Sequence, residues 1–198
     1  MGAAAEALAA ESVAASQGLV RLITFNPRWA EGFDASTAGF LRSFIAPLLA
    51  LPLYLPVAQV LAEKLEKVPS DSTSLAAAGV AHLINALGFP ALVGLWAKPL
   101  GFQSGYAGFV VVTNWASLLL NALLALATLA VFAGEPGVEL FKMLALGLFG
   151  LSIFITWRAA RETLTAEIAH ILLVVVLSVA LSALSDEAAT WLIGRLVQ

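Results

Sequence analysis

The chain has 198 residues, of which 61% are hydrophobic and only 12% are charged, and its net charge at pH 7 is −3. A soluble globular protein carries roughly 25% charged residues, so most of this chain must be surrounded by lipid. The negative charge excludes a nucleic-acid binder, because such proteins need a basic surface for the phosphate backbone. The sequence has no cysteine, which excludes disulfides and thiolate metal sites.

The N-terminal region is predicted to lie on the membrane surface. Residues 1–16 are rich in alanine and mildly acidic, which is typical of a frayed helix or a loose tail. A short apolar stretch, 18–25, follows and ends before Pro27, since a proline disfavours helix in the residue before it. We expect Trp29 at the level of the lipid headgroups. Residues 1–39 are thus predicted to form a cytoplasmic tail with an interfacial helix.

Five long apolar segments make up most of the remaining chain. About 20 apolar residues in a helix cross roughly 30 Å of hydrocarbon, and continuous apolar character indicates helices rather than barrel strands. The predicted fold class is therefore all-α, a polytopic transmembrane helix bundle with five membrane-spanning helices in residues 40–198. The five segments are 40–62, 75–96, 106–133, 138–157 and 168–184.

Basic residues near the ends of the segments predict the orientation, because Lys and Arg are enriched in cytoplasmic loops. The N-terminal side holds Arg21, Arg28, Arg42, Lys98, Arg158 and Arg161, and the opposite side holds Lys64, Lys67, Lys142 and Arg195. On the opposite side, Lys64 and Lys67 alternate with acidic residues. We therefore expect the N-terminus in the cytoplasm and the C-terminus outside. The abundance of Ala, Leu and Gly is typical of a GC-rich bacterium, which predicts an inner-membrane location.

Four polar side chains recur at helical spacing in the third segment. Asn114, Ser117, Asn121 and Thr128 are separated by three, four and seven residues, so at about 100° per residue they fall on one narrow face of a helix. Two interpretations stay open, namely hydrogen bonding to neighbouring helices and a polar path for a solute. We expect packing, because amides and small residues commonly join membrane helices. A cysteine at position 117 or 121 would then resist a membrane-impermeant thiol reagent.

The first segment contains three prolines, Pro47, Pro52 and Pro56. Each removes a backbone donor and leaves a carbonyl one turn earlier without its usual partner. In lipid, that carbonyl must be satisfied by a neighbouring group or by water. The prolines are candidates for a broken helix that lines a cavity or acts as a hinge, and the alternative is a kinked helix that only packs.

His82 and Asn85 share one face of the second segment, since they are three residues apart. His82 fits a hydrogen bond across a helix interface, which is the commoner role, or the handling of a proton. A metal site would need a third ligand, and the apolar segments contain no obvious carboxylate for it. We recognise no cofactor site and no pairing of a nucleophile with a base, so the sequence predicts no enzymatic activity.

The layout resembles that of the Yip1 family of small multipass membrane proteins. The resemblance is carried by the Phe-Asn-Pro-Arg-Trp element at 25–29, by the polar and aromatic stretch 33–44 that leads into the first segment, and by five spans. It implies a helical membrane fold with a cytoplasmic N-terminal region and an external C-terminus. Eukaryotic members are linked to vesicle traffic and small GTPases, a role that we do not carry over to this chain.

The sequence thus predicts a non-enzymatic membrane protein that acts through helix packing or partner binding. Its predicted partners are the lipid bilayer and either a second copy of the chain or another membrane protein, with no nucleic acid and no cofactor. Two pairs of small residues, Ala130 with Gly134 and Ser178 with Ser182, offer faces for close helix approach. The alternative is a transporter or channel subunit for a small solute or ion, with the polar path along the third segment.

Overall fold

The computed structural model describes residues 2–66, 71–164 and 167–196. These residues are 88% helical and contain no strand, which confirms the predicted all-α class. Seven α-helices are found in this part of the chain, joined by short 3-10 or π turns at Pro27–Gly32, Ala62–Glu66 and Leu129–Ala133. The helices are α1 (Ala3–Ile23), α2 (Thr37–Ser43), α3 (Ile45–Leu61), α4 (Ser72–Ala97), α5 (Tyr106–Thr128), α6 (Glu135–Thr163) and α7 (Ile168–Leu196).

Five helical stretches in the described residues are long and apolar enough to cross a membrane. Each overlaps one of the segments predicted from the sequence, so the chain is a multi-pass integral membrane protein. Lys67, which entered the prediction of orientation, lies outside the described residues. The stretches are Thr37–Lys64, Ser72–Ala97, Tyr106–Ala133, Glu135–Thr163 and Ile168–Ala189.

The first span is interrupted near its start, where α2 and α3 meet at Phe44. Pro47 lies in the first turn of α3. Backbone N–H groups in a first turn have no partner within the helix, so a proline there removes no hydrogen bond. Pro52 and Pro56 lie inside the continuous part of α3 and are exposed. Of the three candidate hinge prolines, only Pro47 therefore lies next to a break in the helix.

The five spans pack as a closed ring. α3 contacts α4 and α5, α5 contacts α6, α6 contacts α7, and α7 returns to α4. We call the end of the ring where α4 passes into α5, at residues 98–105, the α1 end, because α1 packs there. The opposite end, where Leu129–Ala133 leads into α6, is called the far end. At the far end Gly134 adopts a φ of 80°, so Ala130 and Gly134 do not form the continuous helix face expected of them.

α1 is a packed helix, and the expectation of a frayed or loose tail is wrong. Alanine, which is abundant in α1, has the highest intrinsic helix propensity of all residues. Ala15, Leu19 and Leu22 follow one another at spacings of four and three residues and are almost completely buried. Leu19 and Leu22 belong to the same core cluster as Phe102 and Leu164, so this face of α1 packs against the bundle.

Ion pairs join α1 to the start of the first span. Arg42 of α2 donates from Nε to a carboxylate oxygen of Glu11 at 3.2 Å and from Nη2 to Asp34 at 2.6 Å. Hydrogen bonds from Ser36, and then from Arg42, lower the pKa of the Asp34 carboxyl. The carboxylate therefore stays charged at neutral pH and holds Arg42 in place.

A second arginine joins the end of α1 to α6. The side chain of Arg158 is only 7% exposed, and its Nη1 lies 2.6 Å from Oε1 of Glu162. The guanidinium carbon lies 4.3 Å from the centroid of the Phe25 ring, within the range of a cation–π contact. The Phe25 ring also meets that of Phe154 at 6.1 Å. The middle of α1, at Glu11, and the residues just past its C-terminal end, at Phe25, are thus attached to the spans.

Dense packing is concentrated at the α1 end. The large side chains with almost no exposure include Phe102, Phe109, Ile155 and Leu164, which come from the parts of the spans nearest α1 and from their connections. A smaller cluster around Phe141 at the far end joins α5 and α6 to the end of α3. The space inside the ring is therefore filled by side chains at the α1 end.

Gly105 lies so close to the end of α6 that one added methyl group should destabilise the fold. A Cβ at Gly105 would overlap the carbonyl oxygen of Thr163, whereas a Cβ at Gly147 in α6 would meet nothing within 4 Å. We expect Gly105→Ala to lower the free energy of unfolding by about 1–3 kcal/mol, as overpacking does. Gly147→Ala, the matched control, should be neutral or stabilising by up to about 1 kcal/mol. Thermal unfolding in detergent measures both, and equal losses would contradict the packing described.

Candidate functional site

A cavity of about 540 Å³ lies inside the ring of spans. All five spans contribute to its wall, with Pro47 from α3, His82 from α4, Asn121 from α5, Ser152 from α6 and Ser182 from α7. Sites for small molecules in proteins commonly enclose roughly 300–1,000 Å³. The cavity is therefore large enough for a small ligand and is shared by every membrane-spanning helix.

The wall of the cavity is mainly apolar, carries polar groups from several helices and has no formal charge. Among the described residues that line it there is no Asp, Glu, Lys or Arg, while hydroxyl and amide side chains come from several helices. Exposing such groups to hydrocarbon is costly, so the fold directs them inwards. Within the described part of the chain, no group of three His, Cys, Asp or Glu side chains could hold a metal ion.

The polar stripe of α5 divides between the cavity and the packed core. Asn114, Ser117 and Asn121 line the cavity, but Thr128 does not. Thr128 is buried and donates its hydroxyl to the carbonyl of Leu124 at 2.8 Å. Of the four residues on the predicted face, Asn114, Ser117 and Asn121 therefore lie at the cavity. Thr128 belongs to the packed core.

Within the stripe, the two asparagines bond differently. The side-chain nitrogen of Asn114 donates to the hydroxyl of Ser43 at 2.9 Å, in a buried contact that joins α5 to α2. The side-chain nitrogen of Asn121 donates to the carbonyl of Ser117 on its own helix at 2.8 Å. Packing between helices therefore accounts for Asn114, whereas Asn121 bonds within its own helix and lines the cavity.

His82 and Asn85, one turn apart on α4, both line the cavity. The Nε2 atom of His82 lies 3.0 Å from the carbonyl oxygen of Pro47, and the imidazole lies 4.9 Å from the ring of Tyr54. His82 therefore joins α4 to α3. The side chain of Asn85 has no hydrogen-bond partner among the described residues, which leaves both its donor and its acceptor groups for a ligand or water.

Hydroxyl groups on α6 and α7 complete the wall. Ser152 and Thr156 lie four residues apart on α6, and Ser178, Ser182 and Ser185 are spaced by four and three on α7. Our sequence interpretation did not single out the hydroxyls of α6, and it treated Ser178 and Ser182 of α7 as a face for another helix. Helical spacing, the signal that revealed the polar face of the third segment, was present in both α6 and α7.

The cavity is closed at the α1 end by aromatic packing. The rings of Phe89 and Phe109 lie 5.8 Å apart at 68° to each other, and Ile155 is buried in the same cluster. Towards the far end, the cluster around Phe141 joins α3, α5 and α6 and includes no described residue of α4 or α7.

No family model, curated protein or solved structure matches this chain. The resemblance to the Yip1 family consequently stays a prediction. The function has to be inferred from the cavity and from the groups that line it.

The bond between Asn114 and Ser43 predicts a measurable coupling. In membrane proteins, hydrogen bonds between helices average about 0.6 kcal/mol and reach about 1.7 kcal/mol. We expect Asn114→Leu and Ser43→Ala to be coupled by this amount in a double-mutant cycle of unfolding free energies. Asn85→Leu combined with Ser43→Ala is the control and should show no coupling. If Asn114→Leu lowered the free energy of unfolding by the same amount with and without Ser43→Ala, the contact would contribute nothing to stability.

Proposed function

We propose that this protein takes up a small polar solute inside the membrane and that the cavity is its binding and transport site. This is the second of the two functions that the sequence left open. The observation that carries the proposal is the convergence of uncharged polar groups from five spans on one cavity of small-molecule size. Polar groups inside a membrane bundle are costly and commonly mark the route of a solute.

The hydrogen bonds of the cavity wall favour a solute site over helix packing alone. If the polar side chains served only to join helices, most of them would bond across an interface. Asn114 and His82 do so. Asn121 and Ser117 are linked within α5, and Asn85 has no partner among the described residues. These groups gain their partners when the cavity holds water or a solute.

The packing closes the cavity at the α1 end. Dense core packing separates the cavity from that end, so passage towards it requires the rings of Phe89 and Phe109 to part. Movement of packed helices between two arrangements is an established way to open such a barrier. With the N-terminus in the cytoplasm of a bacterial cell, as the basic residues predict, the closed end would face the cytoplasm in this conformation.

The absence of cysteine from the sequence makes single-cysteine labelling the direct test. Ser117→Cys and Ser182→Cys, expressed in membranes, should react with a membrane-impermeant thiol reagent, because the thiolate forms only where water reaches it. Two controls should stay unreactive: Ala159→Cys lies in the packed core, and Leu146→Cys lies on the outer surface of α6, which lipid covers.

Protection at positions 117 and 182 equal to that at 159 would overturn the proposal in favour of packing. Reaction at all four positions would indicate that the bundle had opened or unfolded, which would contradict the packed core around the cavity. Labelling restricted to the two cavity positions supports a hydrated site.

A further inference from the structure

The hydrogen-bonding groups of the cavity wall indicate which class of solute it takes, and this inference rests on the proposed function. A hydroxyl group has one proton to donate and two lone pairs that accept. The wall hydroxyls of Thr113, Ser152, Thr156, Ser178 and Ser185 each donate to a carbonyl of their own helix, over 2.7–3.1 Å. Their protons are therefore used within the protein, and their oxygens remain able to accept.

The amides of α5 contribute groups of both kinds. The side-chain nitrogens of Asn114 and Asn121 each use one N–H, to Ser43 and to the carbonyl of Ser117, and keep a second N–H to donate. The hydroxyls of Ser117 and Ser182, which also line the cavity, donate to no described residue. Together with the amide of Asn85, the wall therefore offers a ligand both acceptors and donors.

The lack of charge on the wall limits the ligand further. A desolvated cation or anion would meet no described counter-charge among the lining residues, and an unpaired ion in such surroundings is costly. An anion would in addition face the lone pairs of the hydroxyl oxygens. A neutral molecule with several O–H or N–H groups satisfies these oxygens without that cost.

We propose that the cavity selects small, uncharged solutes that both donate and accept hydrogen bonds, of the polyol and urea type, and that Asn85 is its principal specificity residue. A polyol hydroxyl donates to the wall oxygens of α5, α6 and α7 and accepts from the remaining wall donors. The whole amide of Asn85 is without a partner among the described residues, so it can both donate to and accept from the solute.

The test uses the full-length protein in liposomes, with glycerol and urea as probes and light scattering as the measure of solute uptake. Glycerol and urea should enter well above the rate of protein-free liposomes, while potassium chloride should not. Asn85→Leu should slow glycerol uptake about fivefold, the equivalent of one net hydrogen bond. Asn85→Gln, which keeps the amide, should restore most of the rate. Leu87→Ala, on the exposed side of the same helix, is the matched control and should leave the rate unchanged.

Several results would overturn the inference. Conduction of potassium chloride would reject the class of solute, and a rate unaffected by Asn85→Leu would reject the role of Asn85. If neither glycerol nor urea enters while Ser117→Cys is still labelled, the solute class is wrong although the cavity is hydrated. If Ser117→Cys is protected as well, the proposed function itself fails, so the two failures are distinguishable.

Discussion

In hydrocarbon, every polar group must find its partner inside the protein or in enclosed water, and the architecture of this chain follows from that constraint. Helix formation gives the backbone groups their hydrogen bonds. Most hydroxyls donate to a carbonyl one turn earlier in the same helix, as Thr156 and Ser178 do. Side chains that cannot bond locally are paired between helices, as Asn114 is with Ser43. The remaining ones, Asn85 above all, are collected around one cavity rather than scattered over the lipid-facing surface.

The same constraint explains why the two ends of the bundle differ. At the α1 end, charged groups lie close to the membrane and are paired: Arg42 with Glu11 and Asp34, and Arg158 with Glu162. The aromatic core next to them excludes water. At the far end, the described helices are joined by a smaller cluster. A barrier of this kind at the α1 end has to part before a solute can pass from the cavity to that side of the membrane.

Hydropathy alone predicted the spans, because the requirement for about 20 apolar residues is strict. The packing of α1 was missed, since its alanine-rich sequence also fits a solvated helix, and only the spacing of Ala15, Leu19 and Leu22 pointed to a buried face. The polar face of α5 was visible from its spacing. The role of this face could not be predicted, because a stripe of amides has the same spacing whether it packs against a helix or lines a cavity. That difference depends on how the five helices close around it, which single-segment patterns do not contain.

If the cavity is a solute site, its polar groups are hydrated or bound to solute. An experimental structure of the protein in a lipid bilayer, at a resolution that reveals ordered water, tests this. We expect water or solute density inside the ring, within hydrogen-bonding distance of the Asn85 amide and the Asn121 side-chain oxygen. A collapsed interior in which these two side chains bond directly to neighbouring helices, or an acyl chain in the cavity, would contradict it.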